Sequence, residues 1–339
     1  MFSHLHVASG FSMRYGTAMP EALVDRAAEL GQPALALTDR DGLYGAVRFT
    51  QAARRAGIAP VLGVDLALEV PLPPRRRTPV RGGAIVDPRR PRVTILARGR
   101  AGGAPPASGW AALCRLVTAT HVRGERGIPV SSPTLIADGA LAPDPDAPAR
   151  LLTLIGPDSD VGRAVLAGEH RQAELGLRRW RELLPRDGLA IEIVLHGGPE
   201  GTMGCLSHAR RLLALADALG VPAVLTGAVR QLTRDDVRTV DVLDAARRLV
   251  VLDSRHLDRV TDAAYLADEA EMTRRARAIA PDRARADRLL AMTAALTTEC
   301  VQDPRSDVGI GSVHLPEAGA LGIAEGTDPQ DVLIQRCRA

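Results

Sequence analysis

Two histidines stand within the first six residues, His4-Leu5-His6. On a strand, side chains alternate, so both imidazoles would face the same way two residues apart, a common arrangement for a metal pair. His121, His170, His208 and His256 have no partner at ligand spacing and read as surface or hydrogen-bonded polar residues on or near helices. Cys114, Cys205, Cys300 and Cys337 are scattered without a C-x-x-C, which implies neither a disulfide framework nor a zinc knuckle. Asp158-Ser159-Asp160 reads as a helix N-cap pair, and Glu21 and Asp25 with Arg26 as a solvated helix face.

The elements that must position these groups follow from the apolar pattern. An opening strand covers 1–7. Pro20 opens a helix over 21–30 with Gly31 just past its end. A short apolar run at 33–38, fit for a buried parallel strand, precedes a helix at 45–56 and a strand at 59–68. Further strands are predicted at 92–97, 151–155, 189–195 and 221–226. Helices are predicted at 110–119, in two pieces up to 184, and at 207–219 and 235–249. About seven strand–helix units around one core suggest a barrel with its functional groups on loops after the strand C-termini. Beyond about 255 no strand is expected, 264–299 reads as helical and 303–328 as loop, and 328–338 begins a last helix. Residues 71–92, with Arg75, Arg76, Arg77, Arg81, Arg89, Arg90 and Arg92 among prolines and glycines, read as an exposed basic loop.

Composition narrows the function classes. With 46% hydrophobic residues in 339 a stable globule is expected, and 2% aromatics leave little for a base-stacking platform on single strands. All 43 basic residues are arginine, the formal net charge is +3, and overall charge does not announce a nucleic-acid partner. No charged segment leads into an apolar run at the start and no apolar stretch is long enough to span a bilayer, so a cytoplasmic location is expected.

Several blocks, in order, resemble the PHP domain found at the amino terminus of bacterial DNA polymerase III alpha subunits, the error-prone branch included. They are His4-Leu5-His6 with Ser9-Gly10-Phe11-Ser12, the run Ala34-Leu35-Ala36-Leu37-Thr38-Asp39-Arg40-Asp41-Gly42, and Pro60-Val61-Leu62-Gly63-Val64-Asp65. Leu113-Cys114-Arg115-Leu116-Val117, Ile191-Glu192-Ile193-Val194-Leu195-His196, Pro222-Ala223-Val224-Leu225-Thr226 and Ser312-Val313-His314-Leu315-Pro316 follow. The resemblance implies an α/β fold, a distorted (β/α)7 PHP barrel with a C-terminal helical extension. The barrel would cover 1–255, and 256–339 would be a helical connector toward a polymerase palm. In that family a histidine-rich site at the barrel mouth binds up to three metal ions and hydrolyses phosphoesters.

On this chain the resemblance places metal ligands at His4, His6, Asp39, Asp65 and His196, and it shows ligand positions substituted at Tyr15, Arg40, Pro157, Ala228 and Arg230. Arginine cannot coordinate an ion and brings its own charge. At about 4 Å and an effective dielectric near 20, a dication and a guanidinium repel by roughly 8 kcal/mol. The expectation is therefore a vestigial site holding at most one weakly bound divalent ion (zinc, manganese or iron), with Arg40 and Arg230 seated among the remaining carboxylates. Neither catalytic residues nor a firmly held cofactor are assigned. The Asp-x-Asp pairs at 39/41, 144/146 and 158/160 lie outside any palm context, so polymerisation by these residues alone is not expected. The leading reading is a structural, scaffolding PHP domain whose partners are the remainder of the alpha subunit, DNA through the holoenzyme, and a proofreading exonuclease or clamp. The alternative is a free-standing metal-dependent phosphoesterase or 3′–5′ exonuclease with a reduced site.

Overall fold

In the computed structural model, residues 1–69, 90–124, 127–142, 147–253, 259, 261–311, 322–324 and 326–338 are described. Most of the basic loop, Asp144, Asp146, His256 and the Ser312–Pro316 block lie outside them. The order is α1 (Pro20–Glu29), β1 (Ala34–Arg40), α2 (Ala46–Ala56), β2 (Ala59–Ala67), β3 (Arg92–Ala97), α3 (Ser108–Arg123), α4 (Pro133–Ala140), β4 (Leu151–Ile155) and α5 (Asp160–Leu166). Then come α6 (His170–Leu183), β5 (Leu189–Val194), α7 (Leu206–Leu219), β6 (Ala223–Thr226), α8 (Val237–Arg248), α9 (Glu269–Ile279), α10 (Arg283–Cys300) and α11 (Pro329–Arg338).

Local chemistry sets these bounds. α1 starts on Pro20 and buries Pro20, Leu23, Val24 and Ala27, one stripe of an amphipathic helix. α2 ends at Gly57, whose left-handed φ of 71° lets its N–H reach the Ala53 carbonyl. Ser159 caps α5 by accepting from the Gly162 N–H. The helix α4 was not expected; Pro133 at its first turn and the Ser132 cap were its sequence signals.

The six strands form one sheet in chain order, β1-β2-β3-β4-β5-β6. Strand–helix alternation implies parallel neighbours, but β3 is antiparallel to both β2 and β4. The opening residues do not form the regular strand expected at 1–7. A bend at Leu5 interrupts them, leaving single bridges, His4 to Leu35 and Val7 to Val229. Those bridges still close the curl. Ala36 N–H donates to the His4 carbonyl, and Val229 N–H to that of His6. The opening segment is thus a seventh stave between β1 and the residues after β6.

Inside the barrel, Leu5, Ala36, Val61, Leu96, Leu152, Leu154, Ala190 and Val224 meet Leu296 and Cys300 of α10. The helical extension therefore seals the end of the barrel where the parallel strands begin. Thr293 fixes α10 to β6 by accepting from the Leu225 N–H. By contrast α11 buries no residue. No helix among the described residues is long and apolar enough to cross a membrane.

Candidate functional site

The other end of the barrel gathers the polar groups. The lumen-facing register of the sheet, Ala36 and Val61 below, continues upward to Arg40 on β1 and Asp65 on β2. Thr94 stands opposite Asp65 in the antiparallel pair, and Arg92 lies two residues before it. Because β3 runs against its neighbours, its first residue, Arg92, arrives at the mouth. A parallel β3 would have put it at the sealed end.

Arg92 donates through Nε to Asp65 at 2.8 Å and through Nη2 to Asp41 at 2.8 Å. Arg40 adds a 3.4 Å contact to the same Asp65 oxygen. Burial alone would favour a neutral Asp65, yet Arg92 and then Arg40 hold its carboxyl below the usual range. Asp158 follows β4 and is paired by Arg163 at 2.7 Å. Burial nevertheless raises its carboxyl.

His6 points into the lumen, where its Nδ1 meets Glu192 Oε1 at 2.8 Å and lies 3.2 Å from Thr94 Oγ1. Glu192 also accepts from the Thr226 hydroxyl. Burial opposes the imidazolium, but the Glu192 carboxylate outweighs it and His6 is raised above its ordinary value. Glu192 was not expected at the site. Its signal was a lone carboxylate in the apolar run of β5, and Gly156 makes room for it, since a Cβ there would stand 2.2 Å from Glu192 Oε2.

His4 and His6 do not share a face, because the bend at Leu5 breaks the alternation. His4 Nε2 instead bonds the Ala267 carbonyl at 2.9 Å, and burial lowers its pKa to about 4. Gly227 packs on that ring: a Cβ there would come 2.7 Å from His4 Nδ1. His196, after β5, bonds the Gly227 carbonyl through Nε2 at 2.7 Å, and burial also lowers it to about 4. Asp39 falls on the outer face of β1 with Leu37, enclosed by the Ser9 N–H and the hydroxyls of Ser9 and Ser12. Burial raises its carboxyl despite those donors.

The five expected ligands therefore do not converge. His6 and Asp65 share the lumen, whereas His4, His196 and Asp39 are each turned to a separate protein partner. Among the described residues, no group of three or more His, Cys, Asp or Glu side chains is placed to hold an ion. The donors present do not fit a two- or three-ion cluster, because Asp65 already serves two guanidiniums and Asp39 faces away.

The substituted positions have clear places. The Arg40 guanidinium lies 3.4 Å from the centroid of the Tyr15 ring, and that of Arg230 lies 3.8 Å from it. Arg40 does sit beside an expected ligand carboxylate, Asp65. Arg230 pairs at 2.6 Å with Asp244 of α8, a carboxylate outside the expected ligand set. Pro157 is buried, and Ala228 takes a left-handed φ of 41° that favours Gly, Asn or Asp. His208 is a buried, satisfied residue, bonded to the Gly162 carbonyl and the Gly204 N–H, while His121 and His170 are exposed.

The PHP domain family profile matches residues 4–196. The chain is 33% identical over 291 residues to an error-prone DNA polymerase of Symbiobacterium thermophilum, covering 81% of this chain and 24% of that protein. It is 30% identical over 348 residues to one of Nocardia farcinica, covering 90% of this chain and 28% of that protein. The chain thus spans about a quarter of the length of these relatives. Among solved structures, a candidate metal-dependent phosphoesterase from Bifidobacterium adolescentis overlaps 67% of this chain and 86% of its own, at a TM-score of 0.36 and 15% identity.

Proposed function

Because the chain belongs to the PHP domain family, we propose that it is the PHP portion of an error-prone-type DNA polymerase III alpha subunit, acting as a scaffold rather than a phosphoesterase. One observation carries this reading. Where a hydrolytic site would need open carboxylates around shared ions, Asp65 is occupied by Arg92 and Arg40. A guanidinium in that place supplies positive charge but has no open coordination position, so it can neither activate a water nor bind a leaving oxygen.

The scaffold's work is to present a rigid barrel to the rest of a polymerase, with the palm as its main partner. DNA would be reached through the holoenzyme, and a proofreading exonuclease or clamp would be a further partner. On this reading 1–255 is the barrel unit and 256–339 the connector, with α10 also sealing the barrel, and the location is the cytoplasm.

The test is a titration of the purified chain with zinc, manganese and ferrous ions in the presence of a generic phosphodiester and a 3′-ended single strand. No hydrolysis above background is expected at any metal concentration. Saturable, metal-dependent cleavage that disappears in an Asp65→Asn variant would overturn the reading and restore the phosphoesterase alternative.

A further inference from the structure

The mouth carries a layer of three carboxylates and three guanidiniums. Arg92 joins Asp65 to Asp41, Arg40 adds to Asp65, and Arg163 holds Asp158. The strap formed by residues 9–17 turns back beside this layer. Its ends are fixed by Gly10 N–H to the Ala18 carbonyl at 2.7 Å and by Thr17 N–H to the Arg230 carbonyl at 2.9 Å. Gly16 lets the turn close, since a Cβ there would stand 2.1 Å from the Ser9 carbonyl oxygen.

The strap delivers Tyr15. Two guanidiniums within 4 Å of one ring centroid cannot occupy the same face, so the ring lies between Arg40 and Arg230. Arg247 stands 5.4 Å from the same centroid. Arg230 also donates to the Tyr15 carbonyl at 3.3 Å. On its far side each arginine meets a carboxylate: Asp65 for Arg40 and Asp244 for Arg230. The run Asp65–Arg40–Tyr15–Arg230–Asp244 thus ties β2, β1, the strap, the segment after β6 and α8 into one chain of contacts. The two cations would repel at this distance. The negative faces of the ring between them and the carboxylates outside offset that repulsion.

We infer that this stack is a latch that holds the barrel mouth shut and joins its loops without any divalent ion. The inference rests on the scaffold reading, and it adds the device that closes the mouth. Tyr15 is a positioning residue here. Its ring faces do the work, and no hydrogen bond from its hydroxyl is needed.

The test measures thermal midpoints and amide hydrogen exchange on the full chain, with chelator and then with added zinc or manganese chloride. The wild-type midpoint is expected to move by less than about 1 °C between these conditions. Tyr15→Ala is expected to speed exchange of the strap amides by about tenfold or more while β1–β6 stay protected. Tyr15→Phe should exchange like the wild type. If Tyr15→Ala does not fold, Tyr15→Leu keeps apolar bulk without a face for the cations and should also loosen the strap. A midpoint raised several degrees by either metal would overturn the inference. So would wild-type strap exchange in the Ala or Leu variant, or a Phe variant as loose as the Ala variant. Neither readout uses enzymatic activity, so hydrolysis by the chain and failure of the latch are separately observable.

Discussion

At the end of the barrel where the parallel strands begin, Leu296 and Cys300 of α10 fill the lumen against Leu5, Val61, Leu96 and Leu152. At the opposite end the lumen holds Arg40, Arg92, Asp65, Glu192 and His6, and Tyr15 closes over it. Both ends are filled, but by interactions with different rules. Apolar contacts are non-directional, so a side chain of similar volume can replace another with small loss. Buried charges need a particular partner at a particular atom, and removing one leaves the other without compensation. At the mouth each carboxylate of the ion-pair layer, Asp65, Asp41 and Asp158, meets an arginine, whereas the sealed end needs only volume.

Substitutions that conserve volume separate the two ends. Arg92→Met keeps the bulk of the side chain but removes the closest cation from both carboxylates, leaving Asp65 the longer Arg40 contact and Asp41 the Ala67 N–H at 3.3 Å. A loss of about 3–5 kcal/mol is expected in the urea-unfolding free energy. A loss below about 1 kcal/mol would show that the mouth is wet and that its ion pairs matter little.

Acid tests two buried rings that lie outside the lumen, against a thiol inside its sealed end. His4 and His196 are held neutral by burial, each with its pKa lowered to about 4, whereas Cys300 is pushed up to about 12 and stays neutral throughout. A histidine whose folded pKa lies below its unfolded value takes up its proton more readily when unfolded. Its contribution is therefore present above the unfolded pKa of about 6.5 and is lost as pH falls toward 4. For His4 the loss should reach about 2 kcal/mol by pH 5, read as the difference in pH dependence between the wild type and a His4→Gln variant in urea at pH 7, 6 and 5, because His6, raised by Glu192, titrates with the opposite sign. An identical pH dependence in the two proteins would contradict the buried neutral ring.

The smallest effect belongs to the sealed end. Leu296→Met should cost less than about 1.5 kcal/mol, because methionine can refill the lumen. A loss as large as that of Arg92→Met would mean that α10 packs with the same exacting geometry as the ion pairs, and the contrast between the ends would collapse.

The sequence by itself determined the periodic parts of this protein. Apolar runs bounded by Gly and Pro located β3 and β4 at their observed bounds and the other four strands within about two residues, because burial on both faces writes a continuous signal. Gly31, Gly57 and Gly220 marked helix ends because only the left-handed conformation closes them there. The family was legible too, since its motif blocks are local. The tertiary structure alone decided three matters: the antiparallel direction of β3, the bend at Leu5, and the choice of partners at the mouth. Strand direction depends on how the chain returns between strands, which leaves no trace in the strand's own residues. One bend moved His4 away from His6, although their spacing reads as a pair. Arg92 lay within the loop-like basic stretch, and only the reversed strand carried it to Asp65. Which charge meets which is set by distances between residues far apart in sequence, and no local pattern encodes those distances.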